Sequence, residues 1–271
     1  MRFDPLSTDE FRFEHSYIAF SGAQPDVMVG DVDRWYPYMS VTKPIAAWAV
    51  LVAVYKGYLR LDDPAGPPGS TFRHLLAHAS GLPPAHGEPI ARPGRRRIYS
   101  NYGYDVLAHE VQQRIGMNIH DWISRSVFAP LGMDAVECRG SIAYSARGTA
   151  DSLMRFGLEI LNPTCIPAEL AEEACTVQFP KIAGITPGYG SSSDNPWGLG
   201  FSIRNPDHPH WTGPSFSDRV VGHFGMSGSF IYVDLIARKA GVFLGEKEFC
   251  SEHIRLWPAL TNEMWQNTVS Q

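Results

Sequence analysis

The run from Pro44 to Tyr58 constrains this chain more than any other segment, because no charged side chain interrupts it between Pro44 and Val54. A stretch this apolar has to be covered, and Val41 to Tyr58 reads as a helix packed on one face of a sheet. The residues that open it are Ser40-Val41-Thr42-Lys43. Residues three apart share a helix face. If Ser40 begins the helix, its hydroxyl and the Lys43 amine project into the same space, beside the unpaired N–H groups of the first turn. Burial and the positive end of the helix both disfavour the ammonium, so the Lys43 pKa is expected to fall. A neutral lysine beside a serine is the arrangement that turns a hydroxyl into a nucleophile. A serine three residues before a lysine arises by chance too readily to stand alone, so its context decides.

Strand signals gather at the two ends of the chain. Phe11 to Phe20 with Asp26 to Gly30 reads as one hairpin, and Ser229 to Asp234 with Ala240 to Leu244 as another, turning through Arg238-Lys239. The ends then meet in one antiparallel sheet. Glu252 to Val269, carrying Ile254, Trp257, Leu260 and Trp265, reads as a second covering helix in which Pro258 allows a break. The middle is helical. Tyr104 to Ile115, Ile119 to Phe128 and Thr149 to Leu161 show apolar spacings of three and four, with Thr149 as an N-cap. Pro- and Gly-rich turns at Pro64 to Gly69, Pro83-Pro84 and Ile182 to Pro196 separate these segments. The expected fold class is α/β of the α+β type: an antiparallel sheet built from both chain ends and flanked by helices. A mainly helical lobe, residues 61–199, is inserted into a sheet lobe made of residues 1–60 and 200–271, with the site in the cleft between them.

Three further motifs accompany Ser40 and Lys43. His74-Leu75-Leu76-Ala77-His78-Ala79-Ser80-Gly81-Leu82-Pro83 comes first, then Tyr99-Ser100-Asn101 followed by Tyr102-Gly103-Tyr104, and finally Gly222-His223-Phe224-Gly225. With these four motifs in this order, the chain resembles the penicillin-binding-protein-like serine hydrolases, which include class C β-lactamases, DD-peptidases, D-aminopeptidases and related esterases. The resemblance runs from about residue 36 to residue 245 and implies a β-lactamase/transpeptidase-like fold.

The resemblance also implies roles. Ser40 is the nucleophile that forms an acyl-enzyme, and Lys43 and Tyr99 form the acid–base pair. Two cationic groups near the Tyr99 phenol would lower its pKa. Asn101 offers its amide to the substrate and to Lys43. His223 and Gly225 lie on the strand that edges the cleft, where glycine lets substrate approach the backbone. The backbone N–H groups of Ser40 and Met226 form the oxyanion hole. At position 224 the family carries a hydroxyl that helps hold a substrate carboxylate, and this chain has phenylalanine. An ester or amide without that carboxylate becomes the expected substrate, with a β-lactam or a D-amino-acid peptide as the alternative and a non-catalytic binding module as a second alternative. No metal or organic cofactor is expected.

Other features are read as structural. His74 and His78, four apart on a helix, have the spacing of a zinc pair but no third ligand, and His208-Pro209-His210 reads as a polar loop. Arg95-Arg96-Arg97 is either a solvated loop or a positive field at the mouth of the site. Gly225-Met226-Ser227-Gly228-Ser229 nearly spells a nucleophile elbow, but a strand follows where a helix is required. Composition excludes a nucleic-acid partner, since 28 acidic residues outweigh 23 basic ones. No segment reaches the roughly 18 uninterrupted apolar residues of a membrane span, and the N-terminus shows no signal sequence, so a cytoplasmic protein is expected. Cys138, Cys165, Cys175 and Cys250 lack metal spacing and read as free buried thiols.

Overall fold

A computed structural model describes residues 11–269. In chain order, β1 (His15–Phe20), β2 (Pro25–Val29) and β3 (Tyr36–Pro37) lead into a 3₁₀ turn over Met39–Val41 and then α1 (Thr42–Tyr55). The central region holds α2 (Phe72–Leu76), α3 (Asn101–Ile115), α4 (Ile119–Ile123) with a π turn over Ser124–Phe128, β4 (Val136–Cys138), β5 (Ala146–Gly148), α5 (Ala150–Leu161) and α6 (Ala168–Ala174). A small hairpin, β6 (Gly184–Thr186) and β7 (Gly190–Ser192), precedes β8 (Ser202–Ile203), β9 (Val220–Gly225), β10 (Ser229–Asp234), β11 (Lys239–Gly245) and α7 (Ser251–Asn267).

The two ends of the chain share one antiparallel sheet of order β2-β1-β11-β10-β9-β8, in which β1 pairs β11 from His15 opposite Gly245 to Phe20 opposite Ala240. Period-two alternation assigns the faces. Ile18, Phe20, Ile231, Val233, Val242 and Leu244 pack with α1 and α5, whereas Tyr17, Ala19, Phe230, Tyr232 and Phe243 pack with α7. The apolar run therefore fulfils its expectation: every residue of α1 from Thr42 to Ala53 is buried. The expected break at Pro258 does not occur, and α7 runs through it. Leu256, Trp257, Leu260 and Met264 dock on the sheet and hold the helix despite the N–H that proline lacks.

The caps show why the central helices start where they do. Thr149 Oγ1 accepts the Ser152 N–H at 3.1 Å, the expected cap of α5. Helix α3 begins three residues earlier than its apolar spacing implies, because Ser100 Oγ accepts the Gly103 N–H at 2.8 Å. That cap makes Asn101 the first residue of α3 and fixes the direction in which Tyr99 and Asn101 leave the backbone. Among the described residues no helix is long and apolar enough to cross a membrane. The four cysteines are free, with Cys138 and Cys175 buried and Cys165 and Cys250 partly exposed.

Candidate active site

Ser40 does not cap α1, as the spacing alone implied. It sits inside the 3₁₀ turn ahead of the helix, whose N-cap is Val41, and no side chain caps either element. The preceding residue, Met39, has φ +47, a left-handed conformation that costs a side-chain-bearing residue energy. The strained turn lifts Ser40 off the helix axis, and Thr42 stabilises it by donating its hydroxyl to the Met39 carbonyl at 2.6 Å. The Ala146 N–H donates in turn to Thr42 Oγ1 at 3.0 Å, tying the turn to β5.

Lys43 is fully buried, and its Nζ makes three contacts: Asn101 Oδ1 at 2.7 Å, the Ala143 carbonyl at 2.9 Å and Ser40 Oγ at 3.3 Å. Burial drives its pKa well below the ordinary lysine value, opposed only by the charge of Asp105. Among the described residues no carboxylate contacts the amine. A neutral amine has two N–H bonds and one lone pair. In that form, with its two N–H bonds given to Asn101 and Ala143, the lone pair would be left for Ser40. The Ala143 carbonyl was not legible in the sequence, since any residue can supply a backbone oxygen.

Tyr99 occupies the same space in a different way from that expected. Its ring lies over Lys43, with Nζ 4.6 Å from the centroid, so the lysine meets the π face and not the hydroxyl. Burial raises the phenol pKa above its ordinary value. Ser40 is close enough to oppose the rise, yet the Tyr99 hydroxyl has no aligned hydrogen-bond partner among the described residues. The expectation of a lowered Tyr99 pKa is therefore wrong. Its premise was nearby positive charge, whereas Lys43 and His223 are both held towards their neutral forms by burial.

His223 lies on β9, its ring 5.8 Å from that of Tyr99 and 5.4 Å from that of Trp197. Its Nδ1–H donates to the Phe224 carbonyl at 2.6 Å, which leaves Nε2 as a buried acceptor without a partner among the described residues. Burial first and Lys43 second pull its pKa down to about 3, so the imidazole is neutral at physiological pH. β9 is not the outermost strand. β8 lies outside it but pairs only with Gly222 and Val221, so the edge is open at His223, Phe224 and Gly225. Phe224 packs among Tyr189, Phe249 and Trp257 on the α7 side of the sheet.

Gly225 is required for a reason the sequence did not indicate. A Cβ there would stand 2.4 Å from the Tyr38 carbonyl and 3.0 Å from Met39 Cβ, so the close approach is to the turn that carries Ser40. Ser40, Tyr99, Trp197, His223, Phe224 and Met226 line one cleft of about 390 Å³, together with Thr186, Pro187 and Ser202. None of these residues carries a formal charge at neutral pH, given the neutral His223.

The remaining sequence features resolve as follows. Arg95 and Arg96 are exposed, but Arg97 is buried and donates to four backbone carbonyls, those of Ala77, Gln178, Phe179 and Asn195. It is an internal tie and does not line the cleft. His74 and His78 do not share a helix face, because α2 ends at Leu76 and His78 takes φ +53. His78 Nδ1 instead accepts the Ser100 N–H at 3.1 Å and braces the start of α3. Ser227 donates to the Pro37 carbonyl at 2.7 Å, where it ties the turn between β9 and β10 to β3. Among the described residues no group of three or more His, Cys, Asp or Glu could hold a metal ion.

The comparisons with known proteins bear on the family and the fold. A β-lactamase from Mycobacterium bovis has a crystal structure 42% identical in sequence, with a TM-score of 0.94 over 97% of this chain and 98% of that one. A penicillin-binding protein homologue from Pyrococcus abyssi shares the fold at 18% identity, with a TM-score of 0.73 over 93% of this chain and 74% of that one. Penicillin-binding protein 4* of Bacillus subtilis (strain 168) is 31% identical over 128 residues, 35% of this chain and 28% of its own length. The match thus spans well under half of that relative. The Beta-lactamase family model matches residues 25–257, nearly all of the described chain. With the antiparallel sheet, the flanking helices and this coverage together, the chain belongs to the Beta-lactamase family of penicillin-binding-protein-like serine hydrolases.

Proposed function

We propose that the protein hydrolyses a carboxylic ester or amide through a covalent acyl-enzyme on Ser40. The observation that carries this reading is the buried Lys43 amine, 2.7 Å from Asn101 Oδ1, 2.9 Å from the Ala143 carbonyl and 3.3 Å from Ser40 Oγ, so that a neutral amine donating to the first two has its lone pair left for the third. In this mechanism Ser40 Oγ attacks the substrate carbonyl as its proton passes to Lys43 Nζ. The oxyanion is held by the backbone N–H groups of Ser40 and Met226, both of which line the cleft. Collapse breaks the bond to the leaving group, which takes the Tyr99 phenolic proton. Water then attacks the acyl-enzyme by the reverse path, giving a proton to the Tyr99 phenolate while the Lys43 ammonium returns its proton to Ser40 Oγ. The raised Tyr99 pKa makes it the acid and leaves Lys43 as the first base. In this reading the cleft lies between the sheet lobe, which supplies Ser40, Ser202, His223, Phe224 and Met226, and the inserted lobe of residues 61–199, which supplies Tyr99, Thr186, Pro187 and Trp197.

The uncharged lining favours an ester or amide with no carboxylate beside the scissile bond. Phe224 offers no hydroxyl and neutral His223 no cation, so a carboxylate would lose its hydration without an ionic partner. β-Lactams and D-amino-acid peptides form the second reading. Two hydroxyls, Thr186 and Ser202, do line the cleft and could each donate one hydrogen bond.

A fluorophosphonate should add once to the protein, on Ser40 by peptide mapping, and the adduct should be lost in Lys43→Ala. A short-chain p-nitrophenyl ester should be cleaved faster than a chromogenic cephalosporin, with both rates abolished in Ser40→Ala. An adduct on Ser227, or equal rates in wild type and Ser40→Ala, would overturn the mechanism. No adduct at all would point to the non-catalytic binding module.

A further inference from the structure

Thr186 and Ser202, which line the cleft, also line a second, small recess, whose walls combine Pro196, Ile203 and Pro209 with the polar groups of Ser192, Asp194, Asn205, His208 and His210. The loop after β8 supplies the two histidines, and the segment after β7 supplies Asp194.

The hydrogen-bond roles in this recess can be assigned atom by atom. His210 Nδ1 lies 2.8 Å from Thr212 Oγ1 and accepts the Thr212 N–H at 3.2 Å; with that amide directed at it we assign Nδ1 as an acceptor from both groups and the proton of the neutral ring to Nε2. That Nε2–H is buried and has no partner among the described residues, and His208 Nε2 is in the same condition. Burial pulls the His210 pKa down to about 3, which keeps the ring neutral. The Asn205 amide is already engaged, donating to the Asp194 carbonyl at 2.9 Å and accepting the Asp207 N–H at 3.0 Å. Asp194 Oδ1 accepts the Lys181 N–H at 3.2 Å, and its second carboxylate oxygen remains an acceptor.

These groups select among ligands. An anion would face the Asp194 carboxylate, a cation would meet the Nε2–H of His210, and a hydrocarbon would leave that buried donor unpaired. A neutral group that both donates and accepts satisfies the two sides together. We propose that this recess is a substrate subsite for a hydroxyl or primary amide, with His210 Nε2–H donating to it and Asp194 accepting from it. The inference deepens the proposed use of Ser40 and rests on that reading for its kinetic consequence, whereas its binding consequence is independent of turnover.

Two series of substrates place the polar group on either side of the scissile bond. One is a pair of p-nitrophenyl esters whose acyl chains of equal length end in methyl or hydroxyl. The other is a pair of acetate esters, of an alcohol and of the diol of the same length. In one series the hydroxylated member should show a kcat/KM about tenfold higher, the worth of one well-made buried hydrogen bond. His210→Phe keeps a ring against Trp211 and should erase the preference, so that the two members of each pair react at equal rates. His210→Gln, which restores an N–H, should recover part of it. Binding of the matching uncleaved amides, followed by calorimetry, should show the same preference in wild type and its loss in His210→Phe. Equal binding of methyl- and hydroxyl-ended amides to wild type would overturn the subsite whether or not esters are cleaved. Failure to cleave p-nitrophenyl acetate with the binding preference intact would instead overturn the role of Ser40.

Discussion

Gly225 and Met39 touch across the site so closely that a side chain on the first would collide with the backbone of the second's turn. The end of β9 thereby presses on the left-handed residue that presents Ser40. Gly225→Ala should push the two apart. Its cost should appear chiefly in kcat, about 10²-fold for a displacement on the order of 1 Å. A crystal structure or the p-nitrophenyl acetate rate would check this, and unchanged kcat would show that the turn keeps its shape without the contact.

Lys43 sets the expected pH dependence. Its folded pKa lies well below the lysine value, and only the neutral form accepts a proton. The rate should therefore rise with pH through an inflection well below 10.5 and stay level above it. Lys43→Met should lower kcat/KM by about 10²–10⁴ and remove that inflection. The pH profile of p-nitrophenyl acetate hydrolysis is the measurement.

Tyr99→Phe keeps the ring over Lys43 and deletes the proton donor. Hydrolysis of alkyl esters, whose leaving groups need a proton, should fall by about 10²–10⁴. The acylation burst of p-nitrophenolate, which leaves unprotonated, should fall far less. Equal losses on the two substrates would remove Tyr99 from the acid role.

His223 links the site to acid stability. Its folded pKa of about 3 is depressed from 6.5, so the unfolded chain takes up a proton that the folded protein refuses. This contribution to stability is fully present above about 6.5 and is lost as pH falls towards 3. The thermal midpoint should drop across that window, and less steeply in His223→Gln.

Arg97 is expected to matter for stability more than for charge. Arg97→Met would leave the carbonyls of Ala77, Gln178, Phe179 and Asn195 without this donor and should cost at least about 3 kcal/mol. Urea unfolding would measure it, and a smaller loss would show that water replaces the guanidinium.

What the sequence revealed, and what it hid, follows from the kind of information each feature carries. The sheet built from both ends, the buried α1 and the convergence of Lys43 with Asn101 were legible because periodicity and side-chain chemistry are local properties. The Ala143 carbonyl, the Met39 strain and the collision that fixes Gly225 were not, since each arises between backbones distant in sequence. Tyr99 was misread for a related reason. Its pKa depends on how deeply the loop is buried and on which part of the ring faces Lys43, and neither has a signature in Tyr-Ser-Asn. The same holds for Arg97, which looks like its exposed neighbours Arg95 and Arg96 until the chain folds over it.

The pairing of β1 with β11 has a consequence for the life of the chain on the ribosome. Ser227 and Ser229 reach back 190 and 191 residues to the carbonyls of Pro37 and Tyr38, just ahead of the strained Met39 that leads to Ser40. Ser40 is made early, but the segment that clamps its turn emerges only near the end of synthesis. Closing so large a loop is entropically slow. A nascent or truncated chain would thus carry Ser40 and Lys43 without a working clamp. Hydrolytic competence would be withheld until the whole sheet has formed.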